Sequence, residues 1–346
     1  MIVTTNSSNT KIATWLAICA FFVALMVAVG GATRLTDSGL SITEWRPVTG
    51  TLPPLSSAEW ESEFNKYQAS PEYNAKNYGM NMAEFKYIYW WEYGHRLLGR
   101  IVGMVFLLPL LFFAINNQQV RRRLPVFLVL LALGGMQGLF GWLMVRSGLI
   151  DVPYVNPLRL ALHLSTALLL FWGLVMLSLD FSPCKERHFY WPVKLKPWLR
   201  LIIFITVLQI VIGAVVAGLD AGLVHNTFPT MSGSLLPPGG FGHNWLTSAE
   251  IVQWWHRLGG TLLLAAVSWL GLKVYNLQLN ENKIIGQLLI VVIIVQFCLG
   301  VATILTKVNL WAALFHQVWV LVLLSLLAYI WYQISQRQLQ LERGGN

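Results

Sequence analysis

The chain has 346 residues, 56% of them hydrophobic and only 11% charged, with 16 Trp and a mean hydropathy of +0.58; this excludes an ordinary soluble domain and indicates an integral membrane protein. Its formal charge of +9 reads as Lys and Arg gathered on loops at one membrane face, so the lipid bilayer is the expected partner and nucleic acid is not. Three cysteines, Cys19 and Cys298 in apolar runs and Cys184 in a basic loop, make no disulfide framework, and no C-x-x-C-H is present to attach a haem through thioethers.

The N-terminal stretch MIVTTNSSNTK lacks an Arg-rich transit pattern, and the apolar run from Ile12 to Gly31 is too long for a signal h-region. It is read as a retained first span, in a bacterial inner membrane. Apolar stretches near the length of about 20 residues that a bilayer requires predict membrane helices over 12–32, 94–115, 124–145, 158–179, 199–219, 250–273, 284–305 and 310–332. Arg121, Arg122 and Arg123 follow the second span, Lys185, Arg187, Lys194, Lys196 and Arg200 the fourth, and Lys273 and Lys283 the sixth. The segment from Asp220 to Glu250 has no Lys or Arg, and that from Thr33 to Ile88 has more acids than bases. The positive-inside bias therefore puts both termini in the cytoplasm and the long first and fifth loops outside. The first loop, with Glu59, Glu61, Glu63, Lys66 and Lys76, forms either short amphipathic helices or a solvated cap.

The two halves repeat. Gly30, Asp37, Gly39, Leu40, Gly50 and Leu52 match Gly213, Asp220, Gly222, Leu223, Gly233 and Leu235 at an offset of 183, and Gln137 and Gly141 match Gln296 and Gly300 at an offset of 159. Each half has an even number of spans, so the halves run in the same direction about an axis along the membrane normal. The expected fold is an all-α membrane protein of eight transmembrane helices in two pseudo-symmetric four-helix bundles, residues 1–180 and 181–346, each with room for a core ligand.

Of seven histidines, His188 falls in a cytoplasmic loop and His225 and His243 in the fifth loop. His95, His163, His256 and His316 each open one even-numbered span at a shared depth, and the repeat pairs His95 with His256 and His163 with His316. Ionisable residues inside spans point to function. A haem iron takes two axial ligands from opposite faces, which neutral imidazoles supply; two such histidines per half make two haem sites. A hydrogen-bonded network or a metal site is the alternative, although zinc ordinarily recruits Cys or acids that do not accompany these pairs. Arg96 and Arg257 follow the first histidine of each pair and suit either a haem propionate or the interface, where long side chains snorkel. Trp90, Trp91, Trp254 and Trp255 read as an aromatic belt, and Gln137 and Gln296 either line a haem pocket or serve as polar packing between helices.

One difference breaks the symmetry. An offset of 161, from His95 to His256, places Glu92 opposite Gln253. A carboxylate one turn before the ligand relays protons or stabilises developing positive charge, which an electron-transfer haem does not need. The first half is therefore expected to hold the reactive haem and the second a stationary one.

The stretches GGATRLTDSGLSITEWRPVTGTLPP, EFKYIYWWEYGHRLLGR, QGLFGWLMVRSGL, LALHLSTALL, WWHRLGG and LFHQVWV together resemble the haem A synthase family, in its mitochondrial and proteobacterial branch, over nearly the whole chain. The resemblance implies an oxidoreductase that converts the C8 methyl of haem O to a formyl group by successive hydroxylation, giving haem A for terminal oxidases. It implies that His95 and His163 hold haem O or haem A as substrate or product, that His256 and His316 hold a permanent haem b, and that Glu92 is the catalytic acid residue. It further implies a place in cytochrome oxidase assembly, haem O synthase (protohaem farnesyltransferase) as the source of substrate, an electron donor not identified by the sequence, and scope for a homo-oligomer. The cysteine pair that some members carry in an outer loop is missing here. The rival readings are a diheme b-type membrane electron carrier, such as a quinol or ferric reductase component, and a non-enzymatic haem transporter.

Overall fold

The computed structural model describes residues 3–46, 49–150, 152–182, 191–242, 244, 247–277 and 280–344. Cys184, Lys185, Arg187, His188 and His243 lie outside them. Eleven α-helices are found among the described residues: α1 (Val3–Leu35), α2 (Ser57–Gln68), α3 (Pro71–Ala75), α4 (Met82–Asn116), α5 (Gln118–Arg122), α6 (Leu124–Leu149), α7 (Pro157–Phe181), α8 (Lys196–Gly218), α9 (Ala249–Tyr275), α10 (Asn280–Leu305) and α11 (Leu310–Gly344). Eight of them are long and apolar enough to cross a membrane, as expected from the hydropathy. The second span begins a dozen residues before its apolar run. Asn81 caps it there, its side chain accepting from Ala83 N and Glu84 N while Glu84 returns a bond to the Asn81 amide, and this capping box fixes a helix start without reference to lipid. His95 consequently sits well inside α4, the fourteenth residue of the helix, unlike the other three histidines, which lie within the first eight residues of theirs.

The first four spans, α1, α4, α6 and α7, touch in a closed cycle, and α8, α9, α10 and α11 touch in a second one. Within each cycle the second and fourth helices stand across from one another. The cycles meet where α7 packs on α8 and where α11 packs on α1 and α7. Buried aliphatic and aromatic side chains fill the end of the first cycle away from the long loops, among them Leu16, Phe127 and Leu174, and Leu199, Val267 and Leu323 do the same in the second. Between spans in a bilayer these faces are held by close packing rather than by transfer out of water, since lipid is as apolar as Leu.

The first loop folds as short helices rather than as a solvated cap. Ser56 caps α2 in a capping box with Glu59, and Trp60 and Tyr67 of α2, with Tyr73 of α3, bury against Phe85, Ile88, Tyr89 and Tyr93 on the extension of α4. The internal repeat extends to backbone conformation: Asp37 and Asp220, which share a register, both adopt positive φ, 48° and 49°, a left-handed turn that Asp tolerates better than most residues. Arg34 then bridges the halves, donating to Ala217 O, its own repeat partner, and pairing with Asp220 at 2.7 Å.

Candidate functional site

Each of the four span histidines packs onto a glycine of a neighbouring helix. A β-carbon added at Gly213 would stand 2.8 Å from Cε1 of His256, one at Gly300 2.8 Å from Cε1 of His316, one at Gly141 3.3 Å from Cε1 of His163, and one at Gly30 3.0 Å from Nε2 of His95. Carbon atoms in contact prefer about 3.5–4.0 Å, so any larger residue at the two tightest positions displaces the ring. In each half the histidines come from the two helices that stand across the cycle, α4 and α7 or α9 and α11, and the glycines from the other two. The structure thus brings His95 and His163 together as one pair and His256 and His316 as another.

Glutamines hold three of these rings. Gln209 Nε2 lies 2.9 Å from His256 Nδ1 and donates to His256 O at 2.7 Å. Gln296 Nε2 repeats this at His316, 3.2 Å from Nδ1 and 3.0 Å from the carbonyl, and the Gln296 backbone oxygen lies 3.1 Å from the same Nδ1. Gln137, oriented so that its oxygen accepts from Ala167 N at 2.7 Å, places its nitrogen 3.1 Å from His163 Nδ1 and 3.2 Å from His163 O. At His316 the Gln296 backbone oxygen can accept from Nδ1–H, which leaves Nε2 as the ligand nitrogen, the arrangement by which metal-bound histidines are oriented; the amide nitrogens, which also bond the histidine carbonyls, fix where each ring stands.

The His256 and His316 rings are perpendicular, with centroids 6.2 Å apart. Two imidazoles bound to one metal from opposite sides, with metal–nitrogen bonds of about 2.0 Å and ring centres about 1 Å farther back, stand about 6 Å apart. Among the described residues no cluster of three or more His, Cys, Asp or Glu exists that could hold a bare ion. A planar group whose iron needs only two axial ligands fits this donor set; a structural zinc, which needs four, does not.

Glu92 is buried, with both carboxylate oxygens occupied. Oε2 accepts from Ser41 Oγ and from Ile42 N, each at 2.8 Å, while Oε1 receives Nε and Nη2 of Arg96 at 3.0 and 2.6 Å. Arg96 also donates to Ile42 O and Glu44 O at 2.8 and 3.0 Å. Arg257 makes the equivalent bonds in the second half, to His225 O at 2.8 Å and Thr227 O at 2.7 Å, and His225 and Thr227 are the partners of Ile42 and Glu44 at the offset of 183. Both arginines therefore clamp a long loop onto the helix that carries a histidine. Gln253, in place of Glu92, donates once, to His225 O at 3.1 Å, and its own oxygen is buried without a partner.

The candidate residues named from sequence thus assemble at one end of each cycle. His225 instead bonds Ser232 at 2.9 Å within the fifth loop and approaches Glu250 at 3.5 Å. Sequence reasoning missed Gln209 altogether and missed the loop-clamping bonds of the arginines. Gln209 was hidden because its first-half counterpart is Met26, so the repeat does not flag it; the clamp was hidden because its acceptors are backbone carbonyls.

The model of the COX15-CtaA family, described as cytochrome oxidase assembly protein, matches residues 13–328. Among curated relatives, the Heme A synthase of Methylobacterium radiotolerans is 43% identical over 90% of this chain and 87% of its own length. That of Bradyrhizobium sp. (strain ORS 278) is 44% identical over 90% and 88%, and that of Sinorhizobium medicae 42% over 94% and 90%. The paired histidines, their glycines and the internal repeat agree with these matches: the chain belongs to the COX15-CtaA cytochrome oxidase assembly proteins.

Proposed function

We propose that this chain is a haem A synthase, an oxidoreductase that converts the C8 methyl of haem O to a formyl group and so supplies haem A to terminal oxidases. The observation that carries the reading is the doubled histidine site with one unlike carboxylate: two pairs of ring ligands in matching cradles, and Glu92 where the second half has Gln253. Family membership over residues 13–328 and relatives named Heme A synthase support it. In this reading the halves, 1–180 and 181–346, are four-helix bundles related about the membrane normal, with the termini in the cytoplasm of a bacterium and the long loops outside its inner membrane.

His95 and His163 hold the substrate haem, and His256 and His316 hold a haem b, which when bound passes electrons. The work of the chain itself is positional. Gly30, Gly141, Gly213 and Gly300 admit the rings, and the glutamines orient three of them. The loop clamped by Arg96 shuts the first site from water, which strengthens electrostatic effects inside it. Glu92, fixed by four donors, presents a carboxylate one turn from His95, where it stabilises positive charge developing on the substrate or takes a proton as the methyl carbon is oxidised. Its preorganisation means that no reorientation is required during reaction. Two hydroxylations of the methyl, each a two-electron oxidation at the expense of an oxidant supplied from outside the chain, give a gem-diol that loses water to the aldehyde. Arg96 divides its donors between Glu92 and loop carbonyls and Arg257 gives its own to loop carbonyls, so a propionate at either one shares the guanidinium; Arg257 Nε, buried without a partner, is the donor left for it. Haem O synthase supplies the substrate.

The test is product formation. Membranes containing the chain, supplied with haem O, should yield haem A and its hydroxylated precursor by mass spectrometry. Recovery of unchanged haem O under conditions that reduce the bound haem would refute the assignment.

A further inference from the structure

The amide that orients three histidines is missing at the fourth. Met26 stands at the position of Gln209, at the offset of 183, and packs against the same feature of the next helix: an added β-carbon at Gly99 would lie 3.6 Å from Met26 Cε, and one at Gly260, the repeat partner of Gly99, 3.4 Å from Gln209 Nε2. The site is conserved in shape between the halves while its hydrogen-bond donor is replaced by a thioether, which has no N–H to offer. Among the described residues nothing hydrogen-bonds the His95 ring.

The ring itself responds. His163, His256 and His316 each turn Cε1 to their glycine, with the two ring nitrogens next, whereas His95 presents Nε2 nearest at 3.0 Å and Cδ2 next at 3.5 Å, the order that a half-turn of the ring produces. An imidazole torsion is intrinsically two-fold and broad. A hydrogen bond to one nitrogen is what selects between the two settings, and at His95 that bond does not exist.

We infer that His95 is the exchangeable ligand of the four: Met26 leaves its ring free to turn away, so the first site opens an axial position while the second stays closed. This rests on the haem-binding reading above. It assigns to Met26 a positioning role that acts through His95, and it accounts for two sites of the same architecture doing different work, since a site that must receive substrate and release product benefits from a ligand that yields. Gly30 contributes by leaving room for either setting.

The experiment uses purified, haem-loaded protein in detergent, reduced and titrated with carbon monoxide, which reports an open axial position by its absorption change. Wild type should bind carbon monoxide at one of its two haems. Met26→Gln should weaken that binding at least about tenfold, the lower end of what outer-shell partners of a metal ligand contribute. Gln209→Met should create carbon monoxide binding at the second haem, and it decides the matter alone if Met26→Gln does not fold. Unchanged titrations in both variants, or a wild type in which neither haem binds carbon monoxide, would overturn the inference while leaving the haem sites intact. Purified wild type without any haem would overturn the haem reading and this inference together, and the haem content measured before titration separates the two failures.

Discussion

Arg96 delivers both Nε and Nη2 to one oxygen of Glu92, at 3.0 and 2.6 Å, from one turn farther along α4. That geometry leaves the other carboxylate oxygen to the first loop, through Ser41 Oγ and Ile42 N. The residue proposed for chemistry is thus also the knot between loop and helix, and its two roles separate by mutation. Glu92→Ala strands a half-buried guanidinium and two buried donors and is expected to destabilise the protein by about 2–4 kcal/mol, somewhat less than breaking a fully buried pair. Glu92→Gln keeps the shape and is expected to retain haem while lowering haem A formation by at least about 100-fold. Thermal unfolding in detergent and extracted-haem composition read the two effects.

The glycine cradles give a sharper steric test. Gly213→Ala and Gly300→Ala each place a methyl 2.8 Å from an imidazole carbon, and the helices must part or the ring must leave. Loss of haem from the second half, at nearly unchanged helix content, is the expected outcome. Gly141→Ala, with 3.3 Å to His163, should be milder. Haem per protein by absorption distinguishes them.

Arg257→Lys tests the clamp on the fifth loop. The guanidinium reaches His225 O, Thr227 O and Thr230 O at 2.8, 2.7 and 3.1 Å, a spread that a single ammonium cannot cover. The substitution is expected to cost about 1–3 kcal/mol and to speed proteolysis within 219–248, with Arg96→Lys doing the same to the first loop.

The first loop should also respond to pH through Glu72. Burial pushes its carboxyl up to about 7; Asp37 and Glu92 add to this, against the Tyr67 hydrogen bond and Lys76. Its folded value lies above the ordinary carboxylate value of 4.5, so the folded loop binds the extra proton and stability is fully present below about 4.5. It is lost as pH rises through about 7. Glu72→Gln should flatten that dependence and protect α2 and α3 at pH 8 by about 1–3 kcal/mol, read by hydrogen exchange in the loop at pH 5 and pH 8.

Much of this architecture is legible in sequence because bilayer length and histidine spacing are strong one-dimensional signals. The eight spans and the register of the halves follow from hydropathy and a constant offset, and the same offsets pair the loop carbonyls of Ile42 and His225 beneath their arginines. What sequence obscures is what depends on capping or on three-dimensional partners. The start of α4 at Met82 is set by Asn81 and Glu84, polar residues that a hydropathy window counts as loop. The aromatic packing of Trp60 and Tyr67 onto α4 looks, in sequence, like a charged surface segment. Gln209 and Gln296 sit in apolar runs as isolated amides, and only their distances to His256 and His316 reveal their purpose.

The central claim, a reactive haem site in the first half and a stationary one in the second, is tested most directly by extracting the haems of purified wild type, His163→Ala and His316→Ala and identifying them by mass. Wild type should contain haem b together with haem O, its hydroxylated form or haem A. His163→Ala should lose the farnesylated haems alone, and His316→Ala should lose haem b. Haem b as the sole species in wild type, removed in equal parts by either substitution, would contradict it and identify an electron carrier with two equivalent sites.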